Sequence, residues 1–478
     1  MSALRWFIAT NLVAVAAITA AAYEQYNVAF VFLCAVLVCD LVLLRYLWGS
    51  WITLSHLFIA AFAMYTLSGP FEVIFGSGEI PPFSPPFYVR EWLIDAAVAA
   101  TSFTWATMLF RFAYRLRRNP SIRLIDYMRI ALLLVLLATI GELINLMRAG
   151  GSATLLAGKA AYQAATADLK LTFPAPSFAL LAFAFLGLHY GSALVGAHYG
   201  ENRSSQRFRG VLFLVISVPL LFIHLVLGQR LEIASYCAAF LLGTTYRTAI
   251  KRFPAKWVVG LLVLYLVLSP LYGFRWAFPM WLSGKSLDLP ADTIRKLLLS
   301  SLNPAVNEFG APFGNYSIMM QTGTDTLYYG STFLRDLTVV IPGFLYPGEK
   351  PTSIVYEFRN RFFADWSLRS RISGTAFSSL LEARMNFGDF GAPLVFFLYG
   401  SLLGLFEILR NRYLSPWFAA FYCSFGMFAL VVHRSSTGGT LSGYLWIVGI
   451  LAMIWIGMQS WVRHKQGTAR LSSSSSIA

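Results

Sequence analysis

Ser378, Glu382 and Asn386 recur at intervals of four around a stretch, Ala376 to Met385, built from good helix formers. That spacing puts the three side chains on one polar face of a helix. The face runs straight into an apolar segment, which holds Glu382 at a hydrocarbon boundary. Partial desolvation there favours a neutral carboxyl, as suits a group that accepts a proton from a hydroxyl. His433 is the second candidate base, because an imidazole exchanges protons near neutral pH. The competing reading of Glu382 is an ion pair with Arg384 or Arg371 that only holds the segment together.

Next to these acids and bases stands a field of guanidiniums. Arg230 lies in the tight turn Gly228-Gln229-Arg230, Arg275 closes an apolar run, and Arg434 follows His433 at the end of another. Arg335, Lys350, Arg359, Arg361, Arg369, Arg371 and Arg384 add to the same field. Arginine stays charged near lipid and binds oxyanions through a fork of donors, so three at one level make an anion site. One alone would read as a side chain snorkelling to the interface. Glu142, Asp40, His56, Asp95, His224 and Glu232 sit within apolar runs, where pairing with a neighbouring helix is the simpler account. The histidines are scattered, no Asp-x-Asp stands in a polar loop, and neither a phosphate-cradling glycine loop nor a serine nucleophile elbow occurs, so no metal or cofactor is expected. Cys34, Cys39, Cys237 and Cys423 all fall in apolar segments and read as small core residues.

Positioning these residues is the task of a scaffold that composition identifies. The chain has 478 residues, 57% of them hydrophobic and 12% charged, with mean hydropathy +0.63. That is too apolar for one soluble core and predicts an all-α polytopic membrane protein. Runs such as Ala131–Ile140 and Val211–Leu227 are apolar on every face, which excludes the alternation of an outer-membrane barrel. About twelve spans are expected, near 5–22, 28–48, 51–69, 91–112, 126–147, 174–197, 210–227, 231–249, 256–274, 392–409, 415–433 and 441–459. The organisation is then nine spans over 1–274, a large hydrophilic loop over 275–391, three spans over 392–462 and a tail over 463–478.

The net charge of +15 comes from Lys and Arg in short connectors, such as Arg111–Arg123, Arg203–Arg209 and Arg247–Lys256. Basic connectors fix orientation, so most of the charge is topological, part is left for ligands, and no nucleic-acid partner is expected. With the amino terminus cytoplasmic, the basic connectors and the carboxyl-terminal tail share its side, and the 275–391 loop faces out. The first helix is expected to be retained, because its basic n-region is too thin for a cleaved signal peptide. Within the loop, Asp288-Leu-Pro290-Ala-Asp292 starts a helix to Leu302 with Ile294, Leu297, Leu298 and Leu302 on one face.

Two stretches of the loop carry a family resemblance. Tyr328 begins Tyr-Tyr-Gly330-Ser-Thr-Phe333-Leu-Arg335-Asp336, which leads to Ile341-Pro342 and Lys350-Pro351; Gly374-Thr375 then precedes Ser378, Glu382 and Asn386-Phe387-Gly388. Over 328–400, and in the many-span layout with one large late loop, the chain resembles the Wzy-type polymerases of O-antigen and other oligosaccharide repeat units. The resemblance implies a glycosyltransferase-C-like scaffold in the bacterial inner membrane, with the large loop in the periplasm. It implies transfer of a growing glycan from undecaprenyl pyrophosphate to a lipid-linked repeat unit, with inversion and without a metal. Arg230, Arg275, Arg434, Arg335, Lys350 and Arg384 would then bind the pyrophosphate, with Glu382 or His433 as catalytic base and Ser378 and Asn386 in support. Membrane lipids, a chain-length regulator and a flippase are the partners it implies. An O-antigen ligase would share scaffold and carrier. A lipid-linked oligosaccharide flippase would also suit twelve spans, but internal repeats and charges lining the bundle centre are not evident.

Overall fold

The computed structural model describes residues 2–78, 80, 83, 86–113, 127–157, 207–226, 230–246, 249–253, 255–273, 290–304, 309–323, 327–338, 341, 346–348, 351, 354–362, 376–412, 418, 421–423 and 425–441. Among these residues the chain is helical without a strand, apart from an isolated bridge between Ile80 and Phe83. Four long apolar helices come first: α1 (Ser2–Ala22), α2 (Tyr26–Trp48), α3 (Leu54–Phe75) and α4 (Val89–Ala113). There follow α5 (Tyr127–Arg148), α6 (Gly151–Leu156), α7 (Arg207–Val226), α8 (Arg230–Thr245) and α9 (Ala255–Gly273). The former loop region holds α10 (Ala291–Leu302), α11 (Ala311–Thr322), α12 (Ser331–Leu337), α13 (Ile354–Phe362) and α14 (Ser379–Phe387). A single 3-10 turn joins α14 to α15 (Gly391–Arg412), and α16 (Gly426–Val431) comes last.

Five stretches, Ala3–Ala22, Tyr26–Trp48, Leu54–Phe75, Val89–Ala113 and Ser379–Arg412, are long and apolar enough to cross a membrane. Such helices satisfy their own backbone, as a helical membrane protein requires. Helices α1 to α5, α7 to α9 and α15 occupy apolar runs expected from the sequence. The runs at 174–197 and beyond Leu441 lie outside the described residues. Within the expected run at 415–433, Phe425 keeps helical geometry with its N–H bonded to the Phe421 carbonyl at 3.2 Å, α16 follows, and Val432 to Ser435 turn before helix resumes at Thr437.

Short connections put Ala22 and Tyr26 at one end of the bundle and Trp48 and Leu54 at the other. The first is called the upper end here; Phe75, Val89 and Gly391 also lie there. Helices α4 and α15 run parallel and touch closely, because Gly400 and Gly404 present no side chain. A Cβ on Gly400 would stand 2.2 Å from the Phe103 carbonyl oxygen, and one on Gly404 3.2 Å from the Phe110 Cβ. Small residues four apart are the usual means of such an approach in lipid. Thr107 uses it to donate to the Gly400 carbonyl at 3.3 Å.

The lower end is tied by a buried polar knot. Glu407 on α15 accepts from the first backbone N–H of α3, at Leu54, at 2.8 Å, and from the Tyr422 hydroxyl at 2.6 Å. Arg410, one turn on, pairs with Glu407 at 3.4 Å and donates to the Tyr246 carbonyl at 3.2 Å and to the Thr245 carbonyl. The buried charges thus close the ends of α3 and α8 and hold both against α15.

At the upper end the hydrophilic region folds into the bundle. Phe313, Tyr316 and Met319 of α11 are fully buried. The rings of Phe313 and Tyr316 meet Trp92 of α4 edge to face at 5.4 and 5.1 Å. The Tyr316 hydroxyl donates to Asp95 at 2.7 Å. The helix expected from Asp288 begins at Ala291, behind Pro290, and packs on α9, where Tyr265 donates to the Leu302 carbonyl at 3.0 Å. Ile294 and Leu298 on its apolar face keep partial exposure, as in a helix lying at an apolar surface.

Candidate functional site

Helix α14 begins at Ser379, three residues later than the pattern of helix formers suggests, because Ser378 caps it. The Ser378 hydroxyl accepts from the Leu381 N–H at 3.1 Å, the usual role of serine before a first turn. Its oxygen is therefore committed to the helix end. Glu382 and Asn386 do share a face, and that face is turned inward; both are fully buried.

Three segments close over Glu382. One carboxylate oxygen accepts from the Thr332 hydroxyl of α12 at 3.0 Å, and the other from the backbone N–H of Thr437 at 2.7 Å. Asn386 donates to the Thr332 oxygen at 2.7 Å and to the Glu382 carbonyl at 2.8 Å, and accepts from the Gly330 N–H at 2.9 Å. Asp336, also fully buried, stands beside this group. It accepts from the Ile354 N–H at 3.2 Å and from the Ser436 hydroxyl. Two carboxylates are thus gripped by one turn, Ser436-Thr437, and that turn passes close because Gly438 has no side chain: a Cβ there would lie 2.4 Å from the Asp336 Cβ. Tyr399 of α15 bonds to the Thr437 hydroxyl and completes the chain.

Neither Arg384 nor another described cation pairs with Glu382. Arg384 instead meets Asp95 at 3.3 Å and Asp389 at 2.6 Å, fixing α14 to α4. His433 is buried among Phe58, Phe62 and Tyr65, with Nδ1 3.2 Å from the Ser379 hydroxyl. Arg434, next in sequence, is half-buried. Arg335 pairs with Glu357 of α13. The Arg230 side chain, Arg275, Lys350 and Arg371 lie outside the described residues. The structure therefore brings Glu382 and Asn386 together and sets His433 against Ser379 and the middle of α3, with Arg384 and Arg335 each engaged by acids.

Sequence reasoning missed Asp336, Thr332, Ser436, Thr437 and Tyr399. The available signal was the small, polar run Ser435-Ser-Thr-Gly-Gly439 directly after His433-Arg434, between the spans expected at 415–433 and 441–459. Among the intramembrane suspects, Asp40 accepts from Thr104 at 3.1 Å, His56 bonds to Thr53 at 2.8 Å, and His224 meets the Tyr236 hydroxyl at 3.1 Å, each a contact within the bundle. Among the described residues no three His, Cys, Asp or Glu side chains converge as metal ligands would. The four cysteines are free thiols.

Chemically, the arrangement is an acid pair wrapped in hydroxyls. All of its members are buried, Thr437 the least at 8%. Tyr328, outside the spans, has a phenol held above its ordinary value by burial, and so remains a neutral bridge between charged neighbours. Compared with known proteins, the chain matches no family model, no curated protein and no solved structure.

Proposed function

We propose that this protein is a polymerase of bacterial surface polysaccharide, moving a growing glycan from its undecaprenyl pyrophosphate carrier onto a lipid-linked repeat unit at the periplasmic side of the inner membrane. One observation carries the reading. The stretches that resemble the polymerase family, 328–336 and 378–388, meet each other and the 433–438 turn around Glu382, at the end of a bundle of membrane-length helices.

The reaction needs an acceptor hydroxyl oxygen to form a bond to the anomeric carbon while the bond from that carbon to the pyrophosphate oxygen breaks. The leaving electron pair departs with the lipid diphosphate, whose charge Arg434 offsets. The hydroxyl proton passes to Glu382 through the hydroxyls that surround the buried carboxylate. A single displacement inverts the anomeric centre. The diphosphate is already a stable anion, so a guanidinium such as that of Arg434 suffices to assist its departure.

The test is chain extension by the purified protein with lipid pyrophosphate repeat units. Polymer is expected, and Arg434→Ala should lower its rate by about tenfold or more, since a charge-assisted hydrogen bond is worth roughly 1.5–3 kcal/mol. Release of free glycan without extension, or no transfer at all, would remove the reading.

Twelve spans with both termini cytoplasmic, on a glycosyltransferase-C-like scaffold, belong to the same proposal. Reporter fusions at Glu201 and Lys251 should then be cytoplasmic and those at Ser84 and Asp325 periplasmic. An external signal at Glu201 would invert the whole assignment.

A further inference from the structure

Away from Glu382, α12 and α13 build a second polar cluster that the proposed transfer does not use. Arg335 pairs with one oxygen of Glu357 through Nη1. The other Glu357 oxygen accepts from the Tyr328 hydroxyl at 3.0 Å, and that hydroxyl accepts from Arg361 Nη1 at 3.0 Å. Arg361 is steadied over the Phe362 ring, 5.4 Å from its centroid. Arg335 is left with two buried donors, Nε and Nη2, that have no acceptor among the described residues. Those two N–H groups form one edge of the guanidinium fork, the edge that binds an oxyanion through two parallel bonds. The side chain is 22% exposed, so the guanidinium lies close to solvent.

Beside the cluster the backbone is strained. Tyr329 takes a φ of 46°, rare for an aromatic residue, and its side chain is 76% exposed. It is locked there by its N–H bond to the Asn386 carbonyl at 3.0 Å. Strain of this kind persists where surrounding structure fixes it, and it holds a flat apolar ring out in water next to the arginines.

We infer that Arg335, Arg361, Tyr328 and Glu357 form a binding site for an oxyanion borne by a sugar, a carboxylate of an acidic residue in the glycan; this rests on the glycan-transfer reading above. The charge balance selects the ligand. Two guanidiniums against one carboxylate leave a net charge of +1 in the cluster, which a single carboxylate neutralises and a pyrophosphate exceeds. Arg335 therefore reads the glycan and not the leaving carrier. Tyr328, neutral and bridging, keeps both guanidiniums at fixed positions.

The probes are methyl glucuronide, neutral methyl glucoside and inorganic pyrophosphate, each titrated by saturation-transfer NMR against the full-length protein in lipid nanodiscs. The glucuronide is expected to bind about tenfold more tightly than the glucoside, the difference one charge-assisted contact supplies. Arg335→Gln should abolish that preference, and Arg335→Lys should restore little of it, because an ammonium lacks the fork. Glu357→Gln raises the net charge of the cluster and should turn the preference toward pyrophosphate, which keeps the idea testable even should Arg335→Gln fold poorly. Equal affinity for the two glycosides, or an unchanged preference in both Arg335→Gln and Glu357→Gln, would overturn the inference. So would pyrophosphate binding most tightly in the parent and being lost in Arg335→Gln, since the site would then belong to the carrier. Loss of chain extension with the glucuronide preference intact defeats the transferase reading alone; extension without that preference defeats this one alone.

Discussion

Replacing Glu382 by Gln should lower turnover by about a hundredfold or more while lipid-linked substrate binding stays close to the parent's, because the change removes a proton acceptor and keeps the shape. The surrounding bonds predict a cost in stability too. A Gln oxygen can still accept from the Thr437 N–H. Its amide must then face Thr332, whose oxygen already accepts from Asn386. The Thr332 hydroxyl is left without an acceptor, a loss of about 1–3 kcal/mol. A melting curve run beside the chain-extension assay separates the two effects. Turnover within a fewfold of the parent would make Glu382 a purely structural tie between α12, α14 and the 436–437 turn, and would move attention to His433.

Arg410→Ala should destabilise the protein by about 3–5 kcal/mol, the usual cost of stranding one partner of a buried ion pair. Glu407 would remain fully buried, bonded to Leu54 and Tyr422 but without its countercharge, and the ends of α8 would lose their donors. Glu407→Leu together with Arg410→Met should recover only part of that loss. The desolvated charges go and the Leu54 N–H keeps the Tyr422 hydroxyl, yet the Tyr246 and Thr245 carbonyls lose their Arg410 donor, at roughly 1–3 kcal/mol each. Unfolding of the three variants in one detergent or bilayer system decides it. A stability change under about 1 kcal/mol for Arg410→Ala would mean the knot is solvated and does not fasten α3 and α8 to α15.

The helices were legible where hydrophobicity alone decides. A run such as Leu54–Phe75 has no other way to satisfy its backbone in lipid, and α1 to α4 lie where the pattern puts them. The helical spacing of Glu382 and Asn386 was legible for the same local reason. Which way that face points was not. Its burial depends on Thr332 and Thr437, 50 and 55 positions away, and no periodicity within 376–386 encodes those partners. The cap at Ser378 shows a local signal misread: a serine ahead of a helical run is a start signal before it is a member of a face. Arg384 was read as an anion ligand from charge and position, whereas Asp95, on a helix 289 positions away, claims part of its fork. The break after α16 was legible within a few residues, because the Ser-Ser-Thr-Gly-Gly run separates the spans expected at 415–433 and 441–459.

The grip on the two acids also sets an order of events. Glu382 and Asp336 are made before the residues that hold them, since Ser436 leaves the ribosome 100 positions after Asp336 and Thr437 55 positions after Glu382. During that interval two carboxylates wait at the head of a nascent bundle with part of their hydrogen bonding unmet, and they stay near water until the last turn arrives. The polar centre is therefore a closure assembled late in synthesis. A chain interrupted just before Ser436 would carry every acid of the site and lack the clasp, leaving quality-control proteases a solvated upper end to recognise.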